Sequence, residues 1–125
     1  MSQQLRIVAA DDDPTMLLYY VKIIPHIGHL LLAGVNNGLE LVEWTLRSHP
    51  DLVISDIRMP KLDGISAMER VQREADIPFI FVTADDELSH QQRLKRNHVL
   101  NYLQKPVRQA ELSSAVKSAS ADIFR

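Results

Sequence analysis

Cysteine is absent from the 125 residues, which excludes disulfides and thiolate-bound metals. No apolar run approaches the roughly 18 residues that a membrane-spanning helix needs, so no membrane contact is expected. Charge of neither sign is in excess: 14 basic and 16 acidic residues leave a formal net charge of -2. A near-neutral balance gives no electrostatic grip on nucleic acid or on an anionic bilayer. The opening Met1-Ser2-Gln3-Gln4 is polar, unlike a signal peptide. Internal repeats, low-complexity stretches and linkers are also missing. The expected setting is the cytoplasm.

What the chain does have is apolar material, 46% of its residues, enough for one packed domain over 1–125. That material is organised around Leu52-Val53-Ile54-Ser55-Asp56-Ile57-Arg58-Met59-Pro60. A continuous apolar run ending in a carboxylate reads as a strand buried on both faces, with Asp56 at its carboxyl end. Arg6 to Ala10 is a second short strand, closed by Asp11-Asp12-Asp13-Pro14. Asp13 before Pro14 is a helix start, with the carboxylate capping free N–H groups and proline fitting the first helical position. Met16, Tyr20 and Ile24, with Leu17 and Val21 beside them, give that helix an apolar face. Pro25 ends or kinks it, and Gly28 marks the turn.

Leu30 to Val35 reads as the next strand, and Asn36-Asn37-Gly38 as turn and cap. Leu39, Val42 and Leu46 predict the inner face of the following helix. After Asp56, Asp63-Gly64 opens a helix whose inner face is Ile65, Met68 and Val71. Phe79 to Val82 is an apolar strand ending at Thr83-Ala84. Asp85 and Asp86 are set to cap a polar helix from about Glu87 to Arg96. Asn101-Tyr102-Leu103 is a short last strand, followed by Lys105-Pro106. The final helix carries Leu112, Val116, Ala119 and Ile123 on one side, and reaches Arg125 with no stop signal. Five alternations of strand and helix with short connections predict an α/β fold with a parallel sheet covered on both faces.

In such a sheet, ligands gather beyond the carboxyl ends of the strands. Asp11-Asp12, Asp56, Thr83 and Lys105 all fall there. Two unit charges about 4 Å apart repel by about 4 kcal/mol at an effective dielectric of ~20. Crowded carboxylates therefore call for a hard divalent cation such as Mg2+. Metal, ammonium and hydroxyl around one carboxylate form a clamp for a phosphoryl group, with Asp56 as nucleophile. Each piece alone is weak, since acid triplets before helices are usually solvated caps. The specificity lies in all four occurring in order at successive strand ends. His26, His29, His49, His90 and His98 show no metal-ligand spacing and read as surface or turn residues. Lys61 reads as a solvated loop residue.

With these pieces in view, the whole chain resembles the receiver domain of two-component response regulators. The resemblance rests on Ile7 to Pro14, Pro50 to Pro60, Asp63-Gly64, Phe81 to Ala84 and Tyr102 to Pro106. It implies a (βα)5 doubly wound sheet of flavodoxin-like order 2-1-3-4-5. It implies that Asp56 accepts a phosphoryl group from a sensor histidine kinase or a histidine phosphotransfer protein. Asp12, Asp56 and the backbone carbonyl of Arg58 would bind Mg2+ (or Mn2+) directly, and Asp11 through water. Lys105 would pair with the phosphoryl group. Thr83 and Tyr102 would move with it as the switch. Arg58, Ala84 and Asp85 would flank it, and Lys105–Pro106 would be a cis peptide. A homodimer through the last two helices and last strand is also implied, with any output domain outside this chain.

Some residues depart from that pattern. His98-Val99-Leu100-Asn101-Tyr102 stands where the family often has a glycine and an acidic pair, and looks more like receivers with a small RNA-binding antitermination output. Asn97 is expected to supply the left-handed cap that glycine usually supplies. Arg58 and Asp85 are expected to pair across the site and limit water access. The rival readings are a phosphate-independent interaction module and an aspartyl-phosphate phosphatase. The phosphatase usually needs a second acid two residues after the nucleophile, where this chain has Arg58.

Overall fold

The computed structural model describes residues 3–125. Five strands, β1 (Arg6–Ala10), β2 (Leu30–Val35), β3 (Leu52–Ser55), β4 (Phe79–Thr83) and β5 (Val99–Gln104), pair in parallel in the order 2-1-3-4-5. Helices α1 (Pro14–His26), α2 (Gly38–Ser48), α3 (Gly64–Gln72), α4 (Gln91–Lys95) and α5 (Gln109–Ile123) make the crossovers. The sequence-based fold class therefore holds.

Side-chain alternation along each strand divides the core in two. Ile7, Ala9, Leu52, Ile54, Ile80 and Val82 face α1 and α5. Val8, Val53, Phe79 and Phe81 face α2, α3 and α4. Strands β1, β3 and β4 are thus buried on both faces, apart from Arg6 at the start of β1. This is why their sequences are unbroken apolar runs and not alternating ones.

Helix starts follow local chemistry. Asp13 accepts from the Thr15 N–H at 2.9 Å, Asn37 from Glu40 at 2.9 Å, and Asp63 from Ser66 at 2.8 Å. Pro25 sits one residue before the end of α1, and Gly28 follows at φ +94°. Ile65, Met68 and Val71 are fully buried as expected, as are Leu112 and Val116.

Five expectations need correction. Leu39 is 45% exposed, and Leu41 and Thr45 turn inward in its place. The close approach of Gly38 to the Leu62 carbonyl sets the rotation of α2: any Cβ there would collide with that backbone. Val21 is 54% exposed, on the flank of α1 and not its inner face. The polar helix near Glu87 is a 3-10 turn, Glu87–His90, running into the five-residue α4, which stops at Lys95. Asn97 is not a left-handed cap, since among the described residues the non-glycine positive-φ positions are His49 and Lys61. Its amide side chain instead donates to the Arg93 carbonyl at 2.7 Å, closing the helix end without a φ reversal. The chain then enters β5 because Gln72 accepts from the His98 N–H at 2.9 Å and donates to its carbonyl at 3.0 Å. That clamp lets β5 begin at Val99, two residues before the strand expected from sequence.

Candidate functional site

Adjacent strands bring the acidic groups together. β1 and β3 pair with Ala10 opposite Ser55, so Asp11 and Asp56 leave neighbouring strand ends side by side. The Asp56 N–H donates to the Ala10 carbonyl at 2.9 Å, and the Asp11 N–H donates to the Val35 carbonyl at 3.0 Å. Asp11 is fully buried, Asp56 is 6% exposed, and Asp12 is open to solvent. One carboxylate oxygen from each of Asp11, Asp12 and Asp56 lies within 4.8 Å of the other two.

Lys105 arrives from β5. Its backbone N–H donates to the Thr83 carbonyl at 2.8 Å, and the Lys105–Pro106 peptide is cis. The ammonium donates to Asp11 Oδ2 and to Asp56 Oδ2, both at 2.9 Å. Burial raises the Asp11 pKa, against the hydrogen bonds from Lys105 and from the Asp13 N–H. Burial works to lower the Lys105 pKa, but its hydrogen bonds to the two carboxylates prevail and raise it. One cation thus serves two carboxylates, with a third carboxylate alongside.

The floor beneath Asp56 depends on glycine. The Gly64 N–H donates to the Ile57 carbonyl at 2.7 Å. A Cβ on Gly64 would collide with the Asp56 carbonyl. The start of α3 can approach the strand end only without a side chain. The Asp56 carboxylate is oriented by the Ile57 N–H, which donates to Oδ1 at 2.7 Å.

The rim is organised by Asp85. Arg58 Nε donates to Asp85 Oδ1 at 2.6 Å, and His90 Nε2 lies 3.0 Å from Asp85 Oδ2. The Asp85 N–H reaches Thr83 Oγ1 at 3.3 Å, and Tyr102 Oη donates to the Asp85 carbonyl at 2.8 Å. Burial acts to raise the Asp85 pKa, but the Arg58 and His90 contacts outweigh it and hold the carboxyl below its usual range. Burial, with nearby acidic charge, pushes the Tyr102 hydroxyl up to about 12. Its ring stacks obliquely on Phe81, with centroids 6.5 Å apart.

Asp11, Asp12, Asp56 and Lys105 therefore meet in one pocket. Thr83, Arg58, Asp85 and Tyr102 border it, linked through Asp85. Two contributors, His90 and Gly64, were not legible in the sequence. His90 was grouped with the surface histidines, although its spacing of five from Asp85 across a short turn is compatible with contact. The role of Gly64 depends on a backbone 8 residues earlier in the chain. Arg93 is ion-paired, donating to Glu69 Oε1 at 2.6 Å and to Ser66 Oγ at 3.1 Å.

The fold and site together define a doubly wound α/β domain with an acidic cluster and a bridging lysine at the carboxyl edge of its parallel sheet. The comparisons narrow the class. The family model for the response regulator receiver domain matches residues 7–117. Protein PilH of Pseudomonas aeruginosa is 32% identical over 119 residues, covering 93% of this chain and 98% of PilH. An uncharacterized response regulatory protein of Vibrio cholerae is 30% identical, covering all of this chain but 48% of that protein. The two-component response regulator ARR11 of Arabidopsis thaliana is 34% identical over 86% of this chain and 21% of its own length. The chain thus spans half or less of some of these relatives. Among solved structures, the receiver domain of a NarL-type regulator from Mycobacterium tuberculosis superposes with a TM-score of 0.86 at 24% identity, covering 95% of this chain and 98% of that one. The response regulator domain of Thermotoga maritima CheB gives 0.83 at 22% identity, covering 98% and 97%. The chain belongs to the response regulator receiver domain family.

Proposed function

We propose that this domain is a Mg2+-dependent phosphoacceptor switch. Asp56 takes a phosphoryl group from a phosphohistidine on a sensor histidine kinase or phosphotransfer protein, and the change is read by an output or partner, in the cytoplasm. The observation that carries this reading is Lys105 bridging Asp56 and Asp11 with Asp12 within reach.

The donor set suits a hard cation: two buried acids, one solvent-facing acid and, by the family resemblance, the backbone carbonyl of Arg58 match the all-oxygen preference of Mg2+ (or Mn2+). Asp12, Asp56 and that carbonyl would hold the ion, and Asp11 would act through water. When bound, the cation neutralises charge on the transferring phosphoryl oxygens.

An Asp56 carboxylate oxygen forms the new O–P bond while the P–N bond to the donor imidazole breaks. The electron pair returns to the imidazole nitrogen, so the step needs no oxidant or reductant. The Ile57 N–H holds the Asp56 carboxylate in place for attack. Lys105, already held by two acids, turns its ammonium to the phosphoryl oxygens as they arrive. The Thr83 hydroxyl then donates to the phosphoryl group and gives up its contact with the Asp85 N–H. Tyr102, bonded to the Asp85 carbonyl, shifts with that loop. A local charge event is thereby passed to a packed aromatic. Arg58 and Asp85 close over the site and limit water access to the acyl phosphate. Beside the pocket, Met16, Tyr19, Pro106 and Val107 line a mostly apolar groove of about 500 Å³, suited to a helix of the phosphodonor.

The test is intact mass after incubation with acetyl phosphate and Mg2+, or with a phosphorylated kinase. One phosphoryl adduct, lost with EDTA and absent in Asp56→Asn, is the expected result. No adduct from either donor would overturn the reading in favour of a phosphate-independent module. Sustained turnover of a generic phosphate ester would favour an aspartyl-phosphate phosphatase.

A further inference from the structure

Seven large hydrophobic side chains are exposed among the described residues: Leu18, Val21, Leu30, Leu39, Trp44, Leu88 and Phe124. Five of the seven lie on α1, β2 and α2. These are the elements at one end of the sheet, where β2 pairs with β1 alone. The clustering is finer than that. Leu17 packs over Gly34 of β2, at 3.5 Å from the position of its Cβ, so this flank of α1 lies above the edge strand. Val21 is one helical turn further on the same flank, 54% exposed, and Leu18 is beside it at 62%. On the opposite sheet face, Val42 and Leu46 of α2 pack into the core with Leu32 of β2. Leu39, one turn before Val42, is 45% exposed.

The edge itself is Leu30-Leu31-Leu32-Ala33-Gly34-Val35, with no charge, no polar side chain and no proline. Edge strands are ordinarily blunted by lysine, proline or an inward-pointing charge, because their free N–H and C=O groups template another strand. The other edge, β5, carries Asn101 and Gln104. A bare apolar edge with apolar flanks on both faces fits a strand partner that brings its own apolar flanks.

We propose that β2 is an interface between two copies of this chain, joined by antiparallel β2–β2 pairing about a two-fold axis normal to the sheet. Such an axis keeps each sheet face on its own side, so α1 meets α1 of the second copy and α2 meets α2. Leu18 and Val21 then cover each other on one face and Leu39 on the other. The surface is self-complementary, as an isologous contact requires. Of the formal charges on these elements, Lys22 lies on α1, Glu40, Glu43 and Arg47 lie on α2, with Arg47 and Glu43 already paired at 2.8 Å, and β2 carries none. This surface is distinct from the face of α4, β5 and α5, and the phosphoryl pocket stays open at the strand ends. Stable interfaces bury roughly 1,200–2,000 Å² in total, and one short strand with four side chains falls at the low end. The dimer is therefore weak and concentration-dependent.

The test is sedimentation velocity of the whole chain from micromolar to millimolar concentration, with amide exchange followed on β2. A reversible dimer is expected, with β2 amides gaining protection as it forms. Val21→Glu combined with Leu30→Lys, both at exposed positions, weakens dimerisation by at least about tenfold, because each substitution counts twice in a two-fold interface. Leu88→Glu, exposed elsewhere, leaves it unchanged. A chain monomeric at every concentration overturns the proposal, whether the edge stays bare or is taken by another protein's strand. A dimer that survives the double substitution with the fold intact by circular dichroism overturns it equally.

Discussion

At the scale of the residue, one lysine organises the pocket. Removing Lys105 leaves Asp11 buried beside Asp56 with no counter-charge, and an unpaired buried carboxylate is costly. Lys105→Ala is expected to cut phosphoryl transfer to Asp56 by at least about tenfold without abolishing cation binding; rates from acetyl phosphate and a Mg2+ titration separate the two effects. Arg58 acts at the rim. Its side chain is 82% exposed, so its contact with Asp85 contributes little to stability. Arg58→Ala is expected to shorten the lifetime of the acyl phosphate several-fold, read by loss of the mass adduct with time. An unchanged lifetime would remove Arg58 from the gate. Asp56 and Lys105 were recognisable in the sequence because each ends an apolar run. The pairing of Arg58 with Asp85 was recognisable only through the family resemblance. His90 was missed because its contact with Asp85 depends on a 3-10 turn where a regular helix was expected.

At the scale of the element, α3 touches the site at one end and α4 along its length. Its first residue, Gly64, lets the helix approach the Asp56 carbonyl. Gly64→Ala must displace backbone from backbone, and destabilisation by about 2 kcal/mol or more is expected from overpacking of this kind, measured by urea unfolding. One turn along, Glu69 pairs with Arg93 of α4. The hydrogen bond from Arg93 lowers the Glu69 pKa, against a smaller opposing effect of burial. A carboxyl with a lowered folded-state pKa stabilises above its unfolded value and loses that contribution as pH falls through the folded one. The stabilisation is therefore present at neutral pH and fades below the ordinary carboxylate range. Both side chains are about one-third exposed, so solvent screening limits it to about 1 kcal/mol or less. Glu69→Gln should flatten the acid limb of stability against pH in proportion. Helix α4 is five residues long and too short to hold its own shape. This tie, with the Gln72 clamp, is what positions it. Neither contact could be read from the chain, because each joins elements more than 20 residues apart.

At the scale of the molecule, folding itself creates repulsion, since the sheet order drives three carboxylates to within 4.8 Å of one another. A ligand that binds only the folded chain stabilises it by mass action. Mg2+ at ten times its dissociation constant should add about 1.4 kcal/mol, raising the unfolding midpoint by roughly 4–6 °C for a domain of this size. Calorimetry with and without the ion, on the natural chain and on Asp12→Asn, checks this. A shift retained in full by Asp12→Asn would assign the ion elsewhere.

The sequence by itself determined the class of the fold, because strands buried on both faces must be apolar throughout and their alternation with amphipathic helices leaves few topologies. It also determined the identity of the central acids and lysine, because strand ends are where apolar runs stop. The tertiary structure alone decided the rotation of α2, the start of β5 at Val99, and the bond from Tyr102 to the Asp85 carbonyl. In each case a contact distant in sequence outweighed local preference: Gly38 against the Leu62 backbone, Gln72 across to His98, and Tyr102 reaching the loop after β4. Local patterning specifies which face of an element is apolar, and only packing against the rest of the chain chooses how that face is turned.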